Sequence, residues 1–391
     1  MIPFEKALDI VISSARELTN ERIPMINASG RILAEDVISD TDMPPFHKSA
    51  VDGFACKKCD IRMPLEVIET IAAGKIPEKK IESGQCSKIM TGAMLPDGAD
   101  CVVMVEFSER NSENKVVFSI KETSDNICYK GEDVKKEMTV LKKGTRITPA
   151  HIAVMASVGC TNPLVSRKPN VAILTTGDEL IEPSEPISGA QIRNSNAYQL
   201  IAQAEKCNVN TNYCGIVSDI ESVLEKEIEK AHQQNDVILL TGGVSMGDFD
   251  FVPAILKKLG FDILFHSIAV QPGKPTLFAK KGNVFCFGLP GNPVSSFLQF
   301  ELLVKPLLLK LSGNQYQPLN LKLPLAENFS RRRTERLAIV PVIINNESKI
   351  IQPDYHGSAH IHALTEANAM MFVPVGVSSI NKGELVHVRP L

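Results

Sequence analysis

Tryptophan is absent from this 391-residue chain, and tyrosine occurs only five times. That scarcity removes most of the aromatic platforms on which single-stranded nucleic acids stack. A charge excess is missing too: 42 Lys+Arg against 45 Asp+Glu leave a net charge of −3, so no overall field draws polyanions. An anionic substrate would have to be attracted by local groups. No run approaches the roughly 18 apolar residues needed to cross a bilayer. The opening Met1-Ile2-Pro3-Phe4-Glu5-Lys6 lacks the basic region, apolar run and small-residue cleavage site of a signal peptide. The nine cysteines are odd in number and scattered from Cys56 to Cys286, a pattern of reduced thiols rather than a disulfide framework. The expectation is a cytoplasmic chain with no membrane and no nucleic-acid partner. What is present, 44% hydrophobic and 22% charged residues with 24 Gly and 24 Pro, describes ordinary globular material. At about 100–200 residues per domain, two to four domains are expected.

Texture changes along the chain. Phe4, Ala7, Leu8, Val11 and Ile12 have helical spacing, predicting a short amphipathic helix within residues 4–18. From about 42 to 133, short apolar runs such as Cys101-Val102-Val103-Met104-Val105 alternate with turns, which predicts a mainly β module. Thr148-Pro149 reads as an N-cap and first turn, with Gly159 as the stop. Between 169 and 313 the pattern becomes strand, loop, helix, repeated. The strands Val171-Ala172-Ile173-Leu174, Val237-Ile238-Leu239-Leu240 and Val284-Phe285-Cys286-Phe287 are fully apolar, as in a parallel sheet covered on both faces. A helix is expected from about Asn194, and Ser218 with Glu221 has capping-box spacing for a helix through Gln234. An apolar helix should run towards Leu311, and residues 319–391 return to short strands.

In an open parallel sheet, ligands bind beyond the carboxyl ends of the strands. Three polar loops lie at such ends: residues 175–180, 241–250 and 288–293. Each supplies Gly for close backbone approach with Thr, Ser or Asn as donors, a setting that suits anions. One such loop could be a plain strand–helix turn; three at one edge favour a site. Asp178, Glu179, Asp248 and Asp250 sit in these loops. A carboxylate about 4 Å from a phosphate charge repels it by ~4 kcal/mol at an effective dielectric near 20. A bridging divalent cation reverses that sign, and oxygen ligands with phosphate partners suit Mg²⁺. Singly, each acid reads equally well as a helix cap or a solvated turn. Lys274 is then a candidate point charge for a phosphate. The stretch from Pro44 through His47, Ser49 and Asp52 to Ala55 reads as an ordered polar loop or a long connection. Cys56-x-x-Cys59 has no second pair and reads as structural thiols. His356, His360 and His362 read as unrelated histidines. Arg331, Arg332, Arg333 and Arg336 form either a solvated face or anion contacts.

Seven segments stand in order: Ser49-Ala50-Val51-Asp52-Gly53-Phe54-Ala55, Met90-Thr91-Gly92-Ala93, Gly131-Glu132-Asp133, Thr176-Gly177-Asp178-Glu179-Leu180, Gly242-Gly243-Val244-Ser245-Met246-Gly247-Asp248, Pro272-Gly273-Lys274-Pro275 and Gly288-Leu289-Pro290-Gly291-Asn292-Pro293. Together they resemble, over the full length, the molybdopterin molybdenumtransferase family, the bacterial MoeA proteins related to the C-terminal part of gephyrin. The resemblance implies a multidomain α/β plus β fold. Residues 1–40 and 136–168 would form a discontinuous linker and dimerisation domain, and 41–135 an inserted mainly β domain. Residues 169–316 would form an α/β parallel-sheet domain like the molybdopterin adenylyltransferases, and 317–391 a β-barrel-like domain.

The implied reaction is the last step of molybdenum cofactor synthesis. Adenylylated molybdopterin loses AMP with Mg²⁺, and its dithiolene sulfurs take molybdenum from molybdate. An elongated homodimer would share each cleft between subunits. Transient contact with the adenylylating enzyme and with molybdoenzyme apoproteins is implied as well. By motif, Asp52, Thr91 and Asp133 belong to the partner-side wall. Glu179, Asp219, Asp250 and Lys274 belong to the α/β wall, with Glu179 and Asp250 as metal ligands. Gly177, Asp178, Gly242, Gly243, Ser245, Gly247, Asp248, Pro290, Gly291 and Asn292 would contact the ligand, with Arg336 and Ser358 reaching it from the tail. Gln271 stands where some relatives carry a second Lys, which weakens a two-lysine molybdate clamp. Ile220 follows Asp219 where an acid pair is common, and residues 331–336 match loosely. The rival readings are adenylyl transfer from ATP, a scaffold, and a sugar-phosphate-binding protein.

Overall fold

The computed structural model describes residues 1–243 and 251–391. Its centre is a six-stranded sheet in the order Asn210–Val217, Asn170–Thr176, Val237–Thr241, Val284–Leu289, Leu277–Lys281, Asp262–Phe265. The first four strands are parallel. The expectation of a parallel sheet needs one correction, because Leu277–Lys281 runs antiparallel to both its neighbours. A short connection at residues 282–283 leaves no room for a crossover helix, so a hairpin is the only solution.

Side-chain alternation explains the two-sided core. Val171, Ile173, Val237, Leu239, Phe285 and Phe287 point into one hydrophobic layer, and Ala172, Leu174, Ile238, Leu240 and Cys286 into the other. Helices Ser195–Lys206 and Pro293–Gln299 cover the first layer, while Glu221–Gln234 and Val252–Lys258 cover the second. Phe278, Phe287 and Phe300 are fully buried, which contributes about 1.5–3 kcal/mol each. The apolar run towards Leu311 is helical throughout, but residues Phe300–Val304 form a π-helical stretch before Lys305–Leu311. Pro306 has no N–H to offer the preceding turn, and the wider turn accommodates it.

The first helix, Phe4–Ser14, ends four residues short of the expected limit. Its buried face, Phe4, Ala7 and Val11, belongs to the α/β core rather than to the segments on either side of the inserted module. Those segments pair with each other, Asn20–Arg22 with Leu164–Ser166 and Val37–Ile38 with Thr139–Leu141. They enclose a small core containing Leu33, Ile147, Met155 and Val165. Helix Pro149–Ser157 starts as the sequence suggests, with Thr148 as N-cap and His151 Nδ1 accepting the Thr148 N–H at 3.1 Å. Between them the chain builds a four-stranded sheet in the order Glu66–Ile71, Gln85–Ile89, Gly53–Cys56, Cys101–Met104. Arg167 reaches from the returning segment to both Asp236 oxygens, at 2.9 and 2.8 Å, and so ties it to the central sheet.

In the tail, Leu337–Ile344, Ala369–Val373, Leu385–Pro390 and Leu321–Pro324 pair in succession. A Leu325–Ile350 bridge and the pairing of Ile350–Ile351 with Ile343–Ile344 close the ring, giving the barrel-like tail. Val270–Gln271 joins this sheet beside Leu337–Ala338. The Pro272–Pro275 turn is thereby held between the α/β unit and the tail. No described helix is long and apolar enough to cross a membrane.

Candidate active site

Strand order reverses at Asn170–Thr176, whose sequence neighbours Asn210–Val217 and Val237–Thr241 lie on opposite sides of it. The crevice outside the carboxyl ends of such strands is where open α/β sheets bind ligands. A cavity of about 650 Å³ opens there, lined by Thr175, Thr176, Glu179, Asn194, Asn196, Thr241, Gly242 and residues 290–293. Gly242 is required by close approach. Its φ is +93°, and a Cβ would collide with the Thr176 carbonyl oxygen. Gly242→Ala is expected to cost about 3 kcal/mol through strain and displaced strand ends. Urea unfolding measures this, and an unchanged midpoint would mean that the two strand ends are free to separate.

Acidic groups cluster at the same edge. Asp219 accepts a short hydrogen bond from the Thr176 hydroxyl, and its own N–H donates to Asp178 Oδ1 at 3.3 Å. Asp178 thus braces the loop, and neither it, Asp219 nor Gly243 lines the cavity. Glu179 does line it, and its carboxylate occupies the space a Cβ on Gly177 would fill. Ser218 does not cap the next helix. That helix starts at Glu221 with Ile220 as its N-cap residue, because the contacts of Asp219 hold the preceding residues in the strand-end cluster. Ser245, Gly247, Asp248 and Asp250 lie outside the described residues. Among the described residues no three metal-ligating side chains converge. The carboxylate on the cavity wall is nevertheless of the right kind for Mg²⁺: Glu179 packs over Gly177, where no Cβ intervenes. Mg²⁺ is commonly held by one or two carboxylates, with phosphate oxygens and water completing its shell.

A second cavity of about 540 Å³ adjoins the first, sharing Pro275, Pro290 and Asn292. Gln271, Lys274, Arg336, Tyr355, His356 and Ser358 are on its wall, so Arg336 and Ser358 do reach this edge from the tail. Asn292 Nδ2 donates to Ser358 Oγ at 3.0 Å, and Val294 N–H to the Ser358 carbonyl at 3.0 Å. These bonds lock the strand-end loop to the tail. Lys274 is exposed and has no carboxylate partner among the described residues. Arg336 Nη1 donates to the Val270 carbonyl at 3.0 Å. Arg331 is spent on the carbonyls of Val377, Arg336 and Pro374, while Arg332 and Arg333 are exposed. Burial pushes the Tyr355 phenol up to about 12, so it is a donor at neutral pH. The Gln271 Oε1 is buried without a partner. His356 pairs with Asp354 at 2.7 Å and stacks on His360.

The N-terminal candidates lie elsewhere in the chain and line neither cavity. Register between Gly53 and Ile89 puts the strand ends together. Thr91 then donates to Asp52 Oδ1 from its N–H at 2.7 Å and its hydroxyl at 3.0 Å. These bonds hold the Asp52 carboxyl below its ordinary value, so it is ionised at neutral pH. Asp133 is exposed on a loop anchored by its N–H to the Met43 carbonyl at 3.0 Å. Cys56 and Cys101 are buried side by side in the same sheet, and Cys59 is exposed.

Comparison with known proteins covers almost the whole chain. Residues 2–159 match the MoeA N-terminal region (domain I and II), 172–310 a probable molybdopterin binding domain, and 322–391 the MoeA C-terminal region (domain IV). A protein of Bacillus subtilis (strain 168) named molybdopterin molybdenumtransferase is 36% identical, over 99% of this chain and 93% of its own. This chain belongs to the MoeA family. A Staphylococcus epidermidis (strain ATCC 12228 / FDA PCI 1200) protein of the same name is 36% identical, over 99% of this chain and 95% of its own. The solved molybdopterin biosynthesis moeA protein from Pyrococcus horikoshii OT3 matches 100% of both chains at 30% identity, with a TM-score of 0.85.

Sequence reasoning missed Tyr355 on the second cavity and two asparagines on the first. Asn194 is buried, and its Nδ2 donates to Thr175 Oγ1 at 2.8 Å. Asn196 Nδ2 donates to Thr241 Oγ1 at 3.0 Å and to the Gly291 carbonyl at 2.7 Å, leaving its Oδ1 buried and unpartnered. The run Asn194-Ser195-Asn196 at a helix start was the available signal.

Proposed function

We propose that this MoeA-family transferase inserts molybdenum into adenylylated molybdopterin with Mg²⁺-dependent release of AMP, the last step of molybdenum cofactor synthesis. The observation that carries this reading is the pair of adjoining cavities of different chemistry. The one at the strand switch point offers Glu179 together with Arg193 and neutral donors, and its neighbour offers Lys274 and Arg336. The adenylate and pyrophosphate belong in the first cavity, and molybdate in the second. The shared residues Pro275, Pro290 and Asn292 then mark where the two substrates meet.

Glu179 would hold Mg²⁺ from the cavity wall, with Asp250 as the further ligand expected from the motif. Bound there, the ion supplies Lewis acidity to the pyrophosphate and offsets the charge on the departing AMP. Thr175, Thr176 and Asn196 shape the nucleotide end of the cavity, their hydroxyl and amide hydrogen bonds being made to Asn194, Asp219, Thr241 and Gly291. Lys274 draws molybdate by charge, and Tyr355 donates a proton-bearing oxygen to the same cavity. The Asn292–Ser358 bond keeps the intervening loop from drifting. Water cleaves the P–O–P bridge, giving AMP and the phosphate end of molybdopterin. The two dithiolene thiols bond to molybdenum from molybdate, their two protons leaving with one molybdate oxygen as water, and AMP leaves from the first cavity.

A homodimer completes the proposal, with Asp52, Thr91 and Asp133 of one subunit facing Glu179 of the other. The proposed setting is the cytoplasm, with transient contacts to the adenylylating enzyme and to apoproteins awaiting cofactor. Glu179→Gln is the direct test. With Mg²⁺, molybdate and adenylylated molybdopterin, it is expected to lower AMP release by about a hundredfold or more, since a fixed charge at the reacting phosphates is removed. Wild-type release from folded Glu179→Gln would remove the proposal. ATP consumption with free molybdopterin, and none of the above, would favour the adenylyl-transfer reading instead.

A further inference from the structure

The loop that carries Glu179 has few ties to the body of the protein. Residues 177–193 form the short parallel pair Leu180–Ile181 with Ile192–Arg193, and residues 183–190 are all exposed. Among its backbone bonds, Ile192 N–H to the Glu179 carbonyl at 2.8 Å and Leu180 N–H to the Gly177 carbonyl at 3.0 Å close within the loop, and Asn194 N–H to the Ile181 carbonyl at 2.9 Å joins it to the start of the next helix. Ile181 gives it one buried apolar side chain. Asp178 adds one side-chain tie, accepting the Asp219 N–H at 3.3 Å, and Glu182 adds two shorter ones. Its Oε1 accepts from the Tyr213 hydroxyl at 2.6 Å, and its Oε2 from the Tyr198 hydroxyl at 2.8 Å. Tyr213 stands on central strand Asn210–Val217 and Tyr198 on helix Ser195–Lys206. The Tyr213 oxygen also accepts from Asn194 Nδ2 at 2.9 Å, and the same amide reaches Thr175 on the cavity wall. Asn194 in turn caps the helix by accepting the Ala197 N–H at 3.2 Å.

A continuous set of hydrogen bonds therefore runs from the cavity wall through Asn194 and Tyr213 to a carboxylate three residues beyond Glu179. Both phenols are pushed above their ordinary value, Tyr213 chiefly by burial and Tyr198 chiefly by its bond to Glu182. They remain protonated donors at neutral pH. Bonds from a hydroxyl to an ionised carboxylate are roughly twice as strong as neutral ones. Two of them on one side chain outweigh the weak restraint of a two-residue strand pair.

We infer that Glu182, clamped by Tyr198 and Tyr213, is a positioning residue that holds the exposed loop so that Glu179 faces the nucleotide cavity. This rests on the role given to Glu179 above. Glu182 does not line the cavity, so it acts through the loop and not on the substrate.

The test uses the full-length chain, comparing Glu182→Ala and the double variant Tyr198→Phe/Tyr213→Phe with wild type. The kcat for AMP release is expected to fall about thirtyfold with KM for the adenylylated substrate moving less than about threefold, as for a displaced reacting group. Amide hydrogen exchange at Leu180, Ile192 and Asn194 should accelerate at least about tenfold, while Leu239 and Leu240 keep their protection. A purely stabilising role would lower the thermal midpoint and speed exchange everywhere, without singling out these three amides. If Glu182→Ala does not fold, Tyr198→Phe and Tyr213→Phe singly carry the same comparison, since each removes one oxygen from an exposed or half-buried site. Unchanged loop exchange, or accelerated exchange with normal kcat, overturns the positioning role alone. Wild-type AMP release from Glu179→Gln overturns the reading of Glu179 itself.

Discussion

Asp52→Ala and Glu179→Ala chains, each inactive alone, are expected to recover about a quarter of the wild-type rate of AMP release when co-expressed. The arithmetic follows from a shared cleft. Random pairing makes half of the dimers mixed, and each mixed dimer holds one cleft with both altered residues and one with neither. A cleft built within one chain gives no recovery. The geometry motivates the expectation: Asp52 is ionised and braced by Thr91, yet neither Asp52, Thr91 nor Asp133 lines either cavity at the strand ends of its own chain. Stopped assays on the co-expressed mixture measure it, and mixed dimers purified through different tags on the two chains should show about half the wild-type rate. Full activity in Asp52→Ala alone would take that residue out of the cleft.

Lys274→Met is expected to weaken molybdate binding by about a hundredfold, or about 2.7 kcal/mol, while AMP affinity changes less than about twofold. A unit charge about 4 Å from an anionic charge is worth roughly 4 kcal/mol at an effective dielectric near 20, and solvent screening at this exposed position reduces it. The other cations of the cavity substitute only in part. Arg336 is engaged by the Val270 carbonyl, and all the contacts of Arg331 go to carbonyls. Gln271 places a neutral amide on the same wall, so the anion's charge is met mainly by one lysine. Titration calorimetry with molybdate and with AMP separates the two effects. Equal losses for both ligands would mean that Lys274 serves the nucleotide cavity or the fold instead.

Much of the α/β unit was legible because its local signals are strong. Strands such as Val237–Thr241 are apolar on both faces, and the Thr148-Pro149 and Asn194 helix starts carry their own caps. Ser218 misled because capping-box spacing is a local signal and a tertiary contact overrode it. Asp219 is drawn to the Thr176 hydroxyl across the sheet edge, and the helix waits until Glu221. The antiparallel strand Leu277–Lys281 was hidden for a similar reason, since its apolar content resembles that of a parallel strand. Asn196, Tyr198, Tyr213 and Glu182 were invisible as a group, being ordinary residues until folding brings them together.

Residue order alone determined the two-sided hydrophobic pattern, the glycine-bearing loops and the presence of acids among them, because each depends on neighbours within a few positions. Which acids share a wall was decided by tertiary structure. The strand order that opens a crevice at Thr176 and Thr241, and the Val270–Gln271 pairing that sets Lys274 opposite Ser358, are contacts between distant segments. Their energies arise only when the sheet and tail are assembled, so no short stretch of the chain can encode them.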